Sequence, residues 1–140
     1  MADYNPLSLE NQLCFPLYAA SRKIVRKYKP HLDELGITYT QYIALMVLWE
    51  EGPCNVKTLG ERLYLDSGTL TPMLKNLEKG GIVTRLRSRE DERELVVSLT
   101  NQGKRLRERA LEVPRKMSAC MPLSPDEAAT LYRLLYKLLN

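Results

Sequence analysis

Cys14 lies in an amphipathic segment that also carries tyrosines, and these residue types are the ones that thiol chemistry needs. Cys14, Tyr18, Ser21, Val25 and Tyr28 recur at steps of four, three, four and three, so they share one stripe of a helix. Fourteen residues separate Cys14 from Tyr28, which is roughly 21 Å along a helix axis. A thiol and a phenol that far apart do not touch within one helix, so only a second, antiparallel copy can bring them together.

Pro16 follows Cys14 closely and disturbs any helix that contains the cysteine. A proline inside a helix removes the hydrogen bond to the residue four positions earlier and crowds that carbonyl, so we expect a kink or a late helix start. Backbone N–H groups left unpaired near a helix start stabilise a thiolate. A buried, inert cysteine packed against tyrosines is nevertheless the commoner situation in proteins, and the spacing alone does not exclude it.

The composition limits the class of protein. With 140 residues, 44% of them hydrophobic, the chain fits a single domain spanning residues 1–140. It has no apolar run near the ~18 residues of a membrane span and no basic-then-apolar secretory signal, so we expect a cytoplasmic protein without a membrane segment. The net charge of +4 favours an acidic partner, either nucleic acid or a membrane surface.

Cys14, Cys54 and Cys120 are spread widely along the chain. An odd number of distant cysteines is not a secreted disulfide framework, and in a reducing compartment we expect them to remain thiols. His31 is the only histidine and no Cys-x-x-Cys pair is present, so we expect no metal site and no cofactor. Cys54, in a predicted turn, has no predicted function.

Two helices are predicted in the first third of the chain. We expect Ser8 to cap the first helix, whose apolar stripes should be buried on more than one side. Lys29-Pro30 should interrupt this helix and Gly36 should end it. Thr38 and Gln41 form a capping box for the second helix, whose body is apolar nearly all round and should lie in the core.

The next two predicted helices have the form of a helix-turn-helix. Asn55 should cap a short helix, and a tight connection should lead to a second helix that starts near Asp66 or Ser67 and stops at Gly80-Gly81. The outward face of this second helix carries hydroxyls, an amide and lysines. Such short polar and cationic side chains suit base edges and phosphates in the major groove of DNA. The predicted DNA-binding residues of this recognition helix are Ser67, Gly68, Thr69, Thr71, Pro72 and Lys75.

After the glycines the hydrophobic period becomes alternating, which predicts strands over 82–87 and 94–99 joined by a polar tip over 88–93. A hairpin after a helix-turn-helix is the wing of a winged helix-turn-helix. An arginine at the wing tip can enter the narrow, negative minor groove. A solvated loop is the plainer alternative, but it leaves the order of the elements unexplained. The predicted wing residues are Arg85, Arg87, Arg89, Asp91 and Arg93.

Two more helices complete the predicted chain. Thr100 should cap a fifth helix that runs towards Pro114, and Ser124 with Glu127 forms a capping box that opens the last helix. A break is expected over 117–122. The predicted fold class is therefore mainly α (α+β), with a winged helix-turn-helix lobe flanked by N-terminal and C-terminal helices.

Asp91-Glu92-Arg93 followed by Val97-Ser98-Leu99-Thr100 resembles the wing signature of the MarR family of dimeric repressors. In that family the wing arginine enters the minor groove and the nearby aspartate orients it, which implies these roles for Arg93 and Asp91. The resemblance covers nearly the whole chain. It implies a homodimer on a pseudopalindromic double-stranded DNA operator, with dimerisation helices over about 8–35 and 101–140 and a DNA-binding lobe over about 38–100.

Residues 11–15 and 65–74 further resemble the OhrR subfamily, whose members sense organic hydroperoxides. The resemblance implies that Cys14 is the redox sensor and that hydroxyls of Tyr28 and Tyr39 from the partner subunit, with Tyr18 nearby, hold its thiolate. Some members use a second cysteine near the start of the last helix to form an intersubunit disulfide with the sensor, and Cys120 lies in about that region. Others rely on a small thiol or on further oxidation, so both routes stay open.

Two alternatives remain beside this reading. One is a MarR-type repressor that answers a small aromatic ligand in the dimer cleft, with Cys14 only lining it. The other is a thiol peroxidase that uses Cys14 as its attacking group. Against the peroxidase, no arginine-threonine activation motif surrounds the cysteine and about half of the chain is the DNA-reading lobe, so we expect no enzyme activity.

Overall fold

The computed structural model describes residues 4–140, which form seven helices, a 3₁₀ turn (Leu9–Asn11) and three short strands. This confirms the predicted mainly α class with a small antiparallel sheet. The helices are α1 (Cys14–Asp33), α2 (Tyr39–Glu51), α3 (Val56–Leu63), α4 (Ser67–Lys79), α5 (Asn101–Ala110), α6 (Glu112–Cys120) and α7 (Pro125–Leu139). The strands are β1 (Cys54–Asn55), β2 (Val83–Arg87) and β3 (Leu95–Leu99).

The first long helix begins later than the expected Ser8 cap. Ser8 precedes only the 3₁₀ turn and its side chain caps nothing, whereas α1 starts at Cys14. Pro16 lies in the first turn of α1, where no intrahelical N–H bond is required of it, and this is the position that a proline tolerates best. The predicted late start is therefore confirmed, and the predicted Ser8 cap is wrong.

Pro30 does not interrupt α1, contrary to the expectation from Lys29-Pro30. The helix continues through Pro30 to Asp33. Two tertiary contacts compensate for the lost hydrogen bond: Leu32 is buried in the core, and the Arg109 guanidinium donates to the Glu34 carbonyl at 2.7 Å, just beyond the helix end. Gly36 ends the segment at φ +72°, a conformation that favours glycine.

The second helix begins as predicted. The Gln41 N–H donates to Thr38 Oγ1 at 3.2 Å and the Thr38 N–H donates to Gln41 Oε1 at 2.9 Å, which is a complete capping box. Most of α2 lies in the core between α1, α3 and α4. The buried core is Leu32, Ile37, Tyr42, Ala44, Leu45, Val47, Leu48, Leu59, Leu70, Met73, Leu74, Leu77, Val83, Val97, Leu106, Ala110, Val113 and Met117.

The helix-turn-helix is confirmed: Asn55 caps α3 as predicted, and α4 starts at Ser67 with Asp66 as its cap. Asn55 Oδ1 accepts from the Thr58 N–H at 2.7 Å, and Asp66 Oδ1 accepts from the Thr69 N–H at 2.8 Å. The tight turn between the helices places Tyr64 at φ 55°, in the left-handed region where a side chain is strained. The turn fixes the start of α4.

The hairpin is confirmed, but the sheet has one more strand than predicted. The strand order is β1-β3-β2, all antiparallel, and Arg85 pairs with Val97 across the hairpin. Strand β1 has two residues, too few to show an alternating pattern, so the sequence could not reveal it. It joins the start of α3 to the wing.

The C-terminal helices are divided differently from the prediction. The fifth helix ends at Ala110 rather than near Pro114, because Pro114 has no N–H to donate to the Ala110 carbonyl. A further helix, α6, then runs to Cys120, so the break between the last two helices lies at 121–124, a few residues later than the expected 117–122. The predicted capping box at Ser124 is confirmed.

Candidate functional site

The outer face of α4 presents the side chains predicted for DNA. Ser67, Gly68, Thr69, Pro72 and Lys75 are exposed, and Thr71 is half-buried. The opposite face packs Leu70, Met73, Leu74 and Leu77 into the core. The core therefore holds α4 in place, while its polar face stays exposed and can contact a groove of DNA.

The wing tip holds Asp91 against Arg93. The carboxylate Oδ1 of Asp91 accepts from the Arg93 N–H at 3.0 Å and from Arg93 Nε at 3.2 Å. The Arg93 side chain is 92% exposed, so it projects from the tip while the aspartate restrains its base. Arg87 and Arg89 are also exposed on the hairpin.

Arg85 differs from the other wing arginines. Its side chain is 15% exposed, and its Nη2 contacts Glu78 Oε1 at 3.1 Å. The other oxygen of Glu78 accepts from the Arg85 backbone N–H at 3.1 Å. The structure thus connects Arg85 to the last turn of α4 rather than leaving it free at the surface.

Cys14 is the first residue of α1 and is exposed, and no side chain caps the helix start. Tyr18 is one turn further along and is also exposed, with the Arg22 guanidinium carbon 5.4 Å from its ring centre. Because Cys14 and Tyr28 belong to the same uninterrupted helix, the predicted axial separation of roughly 21 Å applies within one chain.

Tyr28 and Tyr39 meet where α1 packs against the start of α2. Their ring centroids are 4.9 Å apart, and Tyr42 lies 5.8 Å from Tyr28 and 6.3 Å from Tyr39. Burial raises the pKa of all three phenols, that of Tyr42 to about 12. The phenols are therefore neutral O–H donors at physiological pH. Tyr42 was not among the predicted site residues, although its position three residues after Tyr39 places it on the same helix face.

The remaining cysteines are free thiols. Cys120 is exposed at the end of α6, in the segment that leads into the last helix. Cys54 is half-buried, its thiol lies 3.2 Å from the Asn55 carbonyl oxygen, and burial together with the nearby Glu51 charge raises its pKa.

Large apolar side chains are exposed on α1 and α7. Leu17 of α1 is 44% exposed and Leu138 of α7 is 67% exposed, and none of the residues of α7 is buried. Only Leu32 of α1 is buried, so the expectation that this helix is buried on several sides is not met within one chain. Two amphipathic helices with uncovered apolar faces mark an interaction surface.

Within residues 4–140, no cluster of histidine, cysteine and carboxylate side chains is suited to hold a metal ion. None of the helices in that range combines the length and apolarity that crossing a bilayer requires.

Transcriptional regulators are similar to this chain over most of its length. Residues 26–109 match the family model for the transcriptional regulator SarA/Rot. The organic hydroperoxide resistance transcriptional regulator of Bacillus subtilis is 51% identical over 137 residues, covering 98% of this chain and 93% of that protein.

Solved structures agree with the sequence relatives. Reduced AbfR bound to DNA has a TM-score of 0.80 and 42% identity over 94% of this chain and 91% of that chain. A MarR mutant from E. coli complexed with operator DNA has a TM-score of 0.82 and 27% identity over 98% of this chain and 100% of that chain.

The chain belongs to the MarR family of winged-helix transcriptional regulators. Within that family it is of the OhrR type: a redox-sensing, DNA-binding transcriptional repressor and not an enzyme. The comparisons favour neither the repressor that answers an aromatic ligand nor the thiol peroxidase.

Proposed function

We propose that Cys14 is the sensing residue and that an organic hydroperoxide is the signal that releases the repressor from its operator. The observation that carries this proposal is the geometry of α1. An exposed cysteine stands at one end of the helix and a tyrosine pair stands near the other, too far apart to meet in one chain. An antiparallel second copy brings Cys14 to the pair formed by Tyr28 and Tyr39, with Tyr18 at its side.

A homodimer supplies that second copy. The exposed apolar faces of α1 and α7 would be covered by the same faces of another chain, in the isologous arrangement of a two-fold dimer. Burial of apolar surface contributes about 25 cal/mol per Å², so these faces stabilise association. Residues of about 8–35 and 101–140 then form the dimerisation region and about 38–100 the DNA-binding lobe, within one domain.

The sensing reaction needs only the Cys14 thiolate, the hydroperoxide and a proton from water. The Cys14 thiolate attacks the terminal oxygen of the hydroperoxide, the O–O bond breaks, and the alkoxide that leaves takes a proton from water to become an alcohol. The sulfur becomes a sulfenic acid. A second thiol, Cys120 of the partner subunit or a small thiol, can then condense with it to a disulfide and release water. Neutral phenols that donate to sulfur hold the thiolate before attack.

DNA binding follows from the two exposed polar surfaces. In a dimer, α4 enters the major groove of each half-site through Ser67, Gly68, Thr69, Thr71, Pro72 and Lys75, while Arg93 at the wing tip enters the adjacent minor groove. Arg87 and Arg89 add positive charge along the phosphates. The operator that the dimer represses is pseudopalindromic. The protein acts in the cytoplasm.

Release is a population shift between two dimer geometries. A sulfur enlarged by oxygen or by a disulfide no longer fits the tyrosine pocket, which changes the spacing or angle between the two DNA-binding lobes. Reading of two half-sites is sensitive to that spacing. The oxidised dimer therefore loses affinity for the operator.

The test begins with operator DNA selected from a random pool by the reduced wild-type protein. Cys14→Ser should bind this DNA with wild-type affinity and stay bound after treatment with cumene hydroperoxide, because serine cannot form a sulfenic acid. Cys54→Ser is the matched control and should be released like the wild type. Release of Cys14→Ser at the wild-type rate would refute the proposal.

The route after sulfenic acid is tested separately. Peptide mass spectrometry of the oxidised protein should show a disulfide between Cys14 and Cys120, or Cys14 joined to an added small thiol, and Cys120→Ser leaves only the second product. AbfR has been solved both overoxidised on DNA and in a disulfide form (TM-scores 0.79 and 0.69), so each product should be assayed for DNA binding on its own.

A further inference from the structure

The link between Glu78 and Arg85 joins the recognition helix to the wing. One carboxylate oxygen of Glu78 accepts from the Arg85 guanidinium and the other accepts from the Arg85 backbone N–H, both at 3.1 Å. Glu78 lies in the last turn of α4 and Arg85 lies in the middle of β2. A single side chain therefore holds a strand by its backbone and its side chain together. We call this arrangement the α4–β2 clamp.

The clamp lies in an environment that strengthens it. The Arg85 side chain is 15% exposed and that of Glu78 is 40% exposed. Partial burial weakens solvent screening of the ion pair. The Nε of Arg85 is buried without a hydrogen-bond partner, so the guanidinium faces the protein and not the solvent. To reach DNA, Arg85 would have to give up the hydrogen bond between its guanidinium and the Glu78 carboxylate.

The connection that the clamp spans is a short glycine turn whose base is anchored by hydrogen bonds. Between α4 and β2 the chain runs through Gly80 and Gly81, the latter at φ +77°. The N–H groups of these glycines donate to the Asn76 and Glu78 carbonyls, and Thr100 Oγ1 donates to the Gly81 carbonyl at 2.6 Å. Backbone bonds from the Ile82 N–H to the Leu77 carbonyl and from the Thr100 N–H to the Ile82 carbonyl hold the base of the turn. The clamp acts further along β2, where it ties Arg85 of the wing directly to Glu78 of α4.

The direction of β2 decides where the wing tip lies. From Arg85 to Arg89 at the tip, this arm of the hairpin extends roughly 13 Å at ~3.3 Å per residue. A change of about 10° in strand direction moves the tip by roughly 2 Å, which exceeds the width of the hydrogen-bond distance range. Arg93 can therefore meet the minor groove only while the angle between α4 and β2 is held.

We propose that Glu78 and Arg85 are positioning residues that set the angle between the recognition helix and the wing, so that both grooves of a half-site are read at once. The inference rests on the DNA-binding function. It moves Arg85 from the predicted DNA contacts to the framework that aims Arg93. It also gives Glu78, a carboxylate beside a DNA-binding surface, a reason to be there.

The experiment is a double-mutant cycle with the wing tip. Affinities for the selected operator are measured by fluorescence anisotropy for wild type, Glu78→Gln, Arg85→Met, Arg93→Ala and the combinations with Arg93→Ala. Glu78→Gln and Arg85→Met should each weaken binding about 5- to 10-fold. In the Arg93→Ala background each should change affinity less than 2-fold, because the wing contact that they aim is already lost.

Direct DNA contact by Arg85 predicts the opposite pattern. Glu78→Gln would then free the guanidinium and strengthen binding, and the losses from Arg85→Met and Arg93→Ala would add. In the Arg93→Ala background, Arg85→Met would also lower the slope of log affinity against log salt by about 1, whereas a positioning role leaves the slope unchanged in that background. Either result overturns the proposal.

Two controls separate positioning from a general loss of structure or charge. Glu90→Gln removes an exposed carboxylate at the wing without a bond to α4 and should not weaken binding. Thermal unfolding should show that the variants are folded at the assay temperature, and Arg85→Lys keeps the charge if Arg85→Met does not fold. Glu78→Gln and Arg85→Met should weaken operator binding equally in the Cys14→Ser background. Failure of the peroxide-sensing proposal would therefore leave this inference testable by DNA binding alone.

Discussion

Gly103→Ala should destabilise the protein because α5 crosses the base of the wing at this glycine. A Cβ atom at position 103 would lie 2.2 Å from the Ile82 carbonyl oxygen and 3.1 Å from a methyl of Leu99. The first of these neighbours is backbone in the segment that joins α4 to β2, so it cannot rotate away. Helix α5 must therefore move outward by about 1 Å to reach ordinary van der Waals contact.

The outward movement also breaks hydrogen bonds at the same point. Trp49 Nε1 donates to the Gly103 carbonyl at 2.9 Å and the Thr100 N–H donates to the Ile82 carbonyl at 3.0 Å. Overpacking typically costs about 1–3 kcal/mol, each hydrogen bond contributes about 1 kcal/mol, and alanine recovers about 1 kcal/mol of helix propensity. The free energy of unfolding should fall by about 2–4 kcal/mol, which corresponds to a Tm lower by roughly 6–15 °C.

Circular dichroism at fixed protein concentration measures the Tm, and the fluorescence of Trp49, the single tryptophan, follows urea unfolding beside the mutation. Gly80→Ala is the matched control, since its added Cβ would meet nothing closer than 3.4 Å. It should change stability by no more than about 1 kcal/mol. A Gly103→Ala protein as stable as the Gly80→Ala protein would refute this account of the junction between α5 and the wing.

Three further predictions concern the dimer, the turn and the tyrosine cluster. Leu134→Glu should shift sedimentation towards monomer and abolish operator binding, because it places a charge on the apolar face of α7; a dimer of unchanged affinity would contradict the proposed interface. Tyr64→Gly should increase the free energy of unfolding by about 1 kcal/mol, measured as a higher urea midpoint, since glycine adopts the left-handed conformation without strain. Burial raises the pKa of Tyr42 from 10.0 to about 12, so its contribution to stability is complete below pH 10 and is lost as the pH rises towards 12. Tyr42→Phe should therefore flatten the decline in urea midpoint across that range.

Local signals predicted most elements correctly because their physical causes are local. A capping box needs only residues within one turn, so Thr38 with Gln41 and Ser124 with Glu127 identified helix starts directly. The change of hydrophobic period identified the hairpin for the same reason. Local rules failed at Ser8, where the helix starts later, and at Pro30, where packing of Leu32 and the contact from Arg109 outweigh the missing hydrogen bond.

The candidate site divides in the same way. The sequence by itself determined the residue types on the recognition helix and wing and the distance between Cys14 and Tyr28, since periodicity and helix rise set both. Only the tertiary structure decided which side chains meet across elements: Tyr42 beside the tyrosine pair, and Arg85 against Glu78 instead of solvent. Those contacts depend on how α1 packs on α2 and how β2 leaves α4. The hydrophobic period of one element does not specify how its side chains pack against another element.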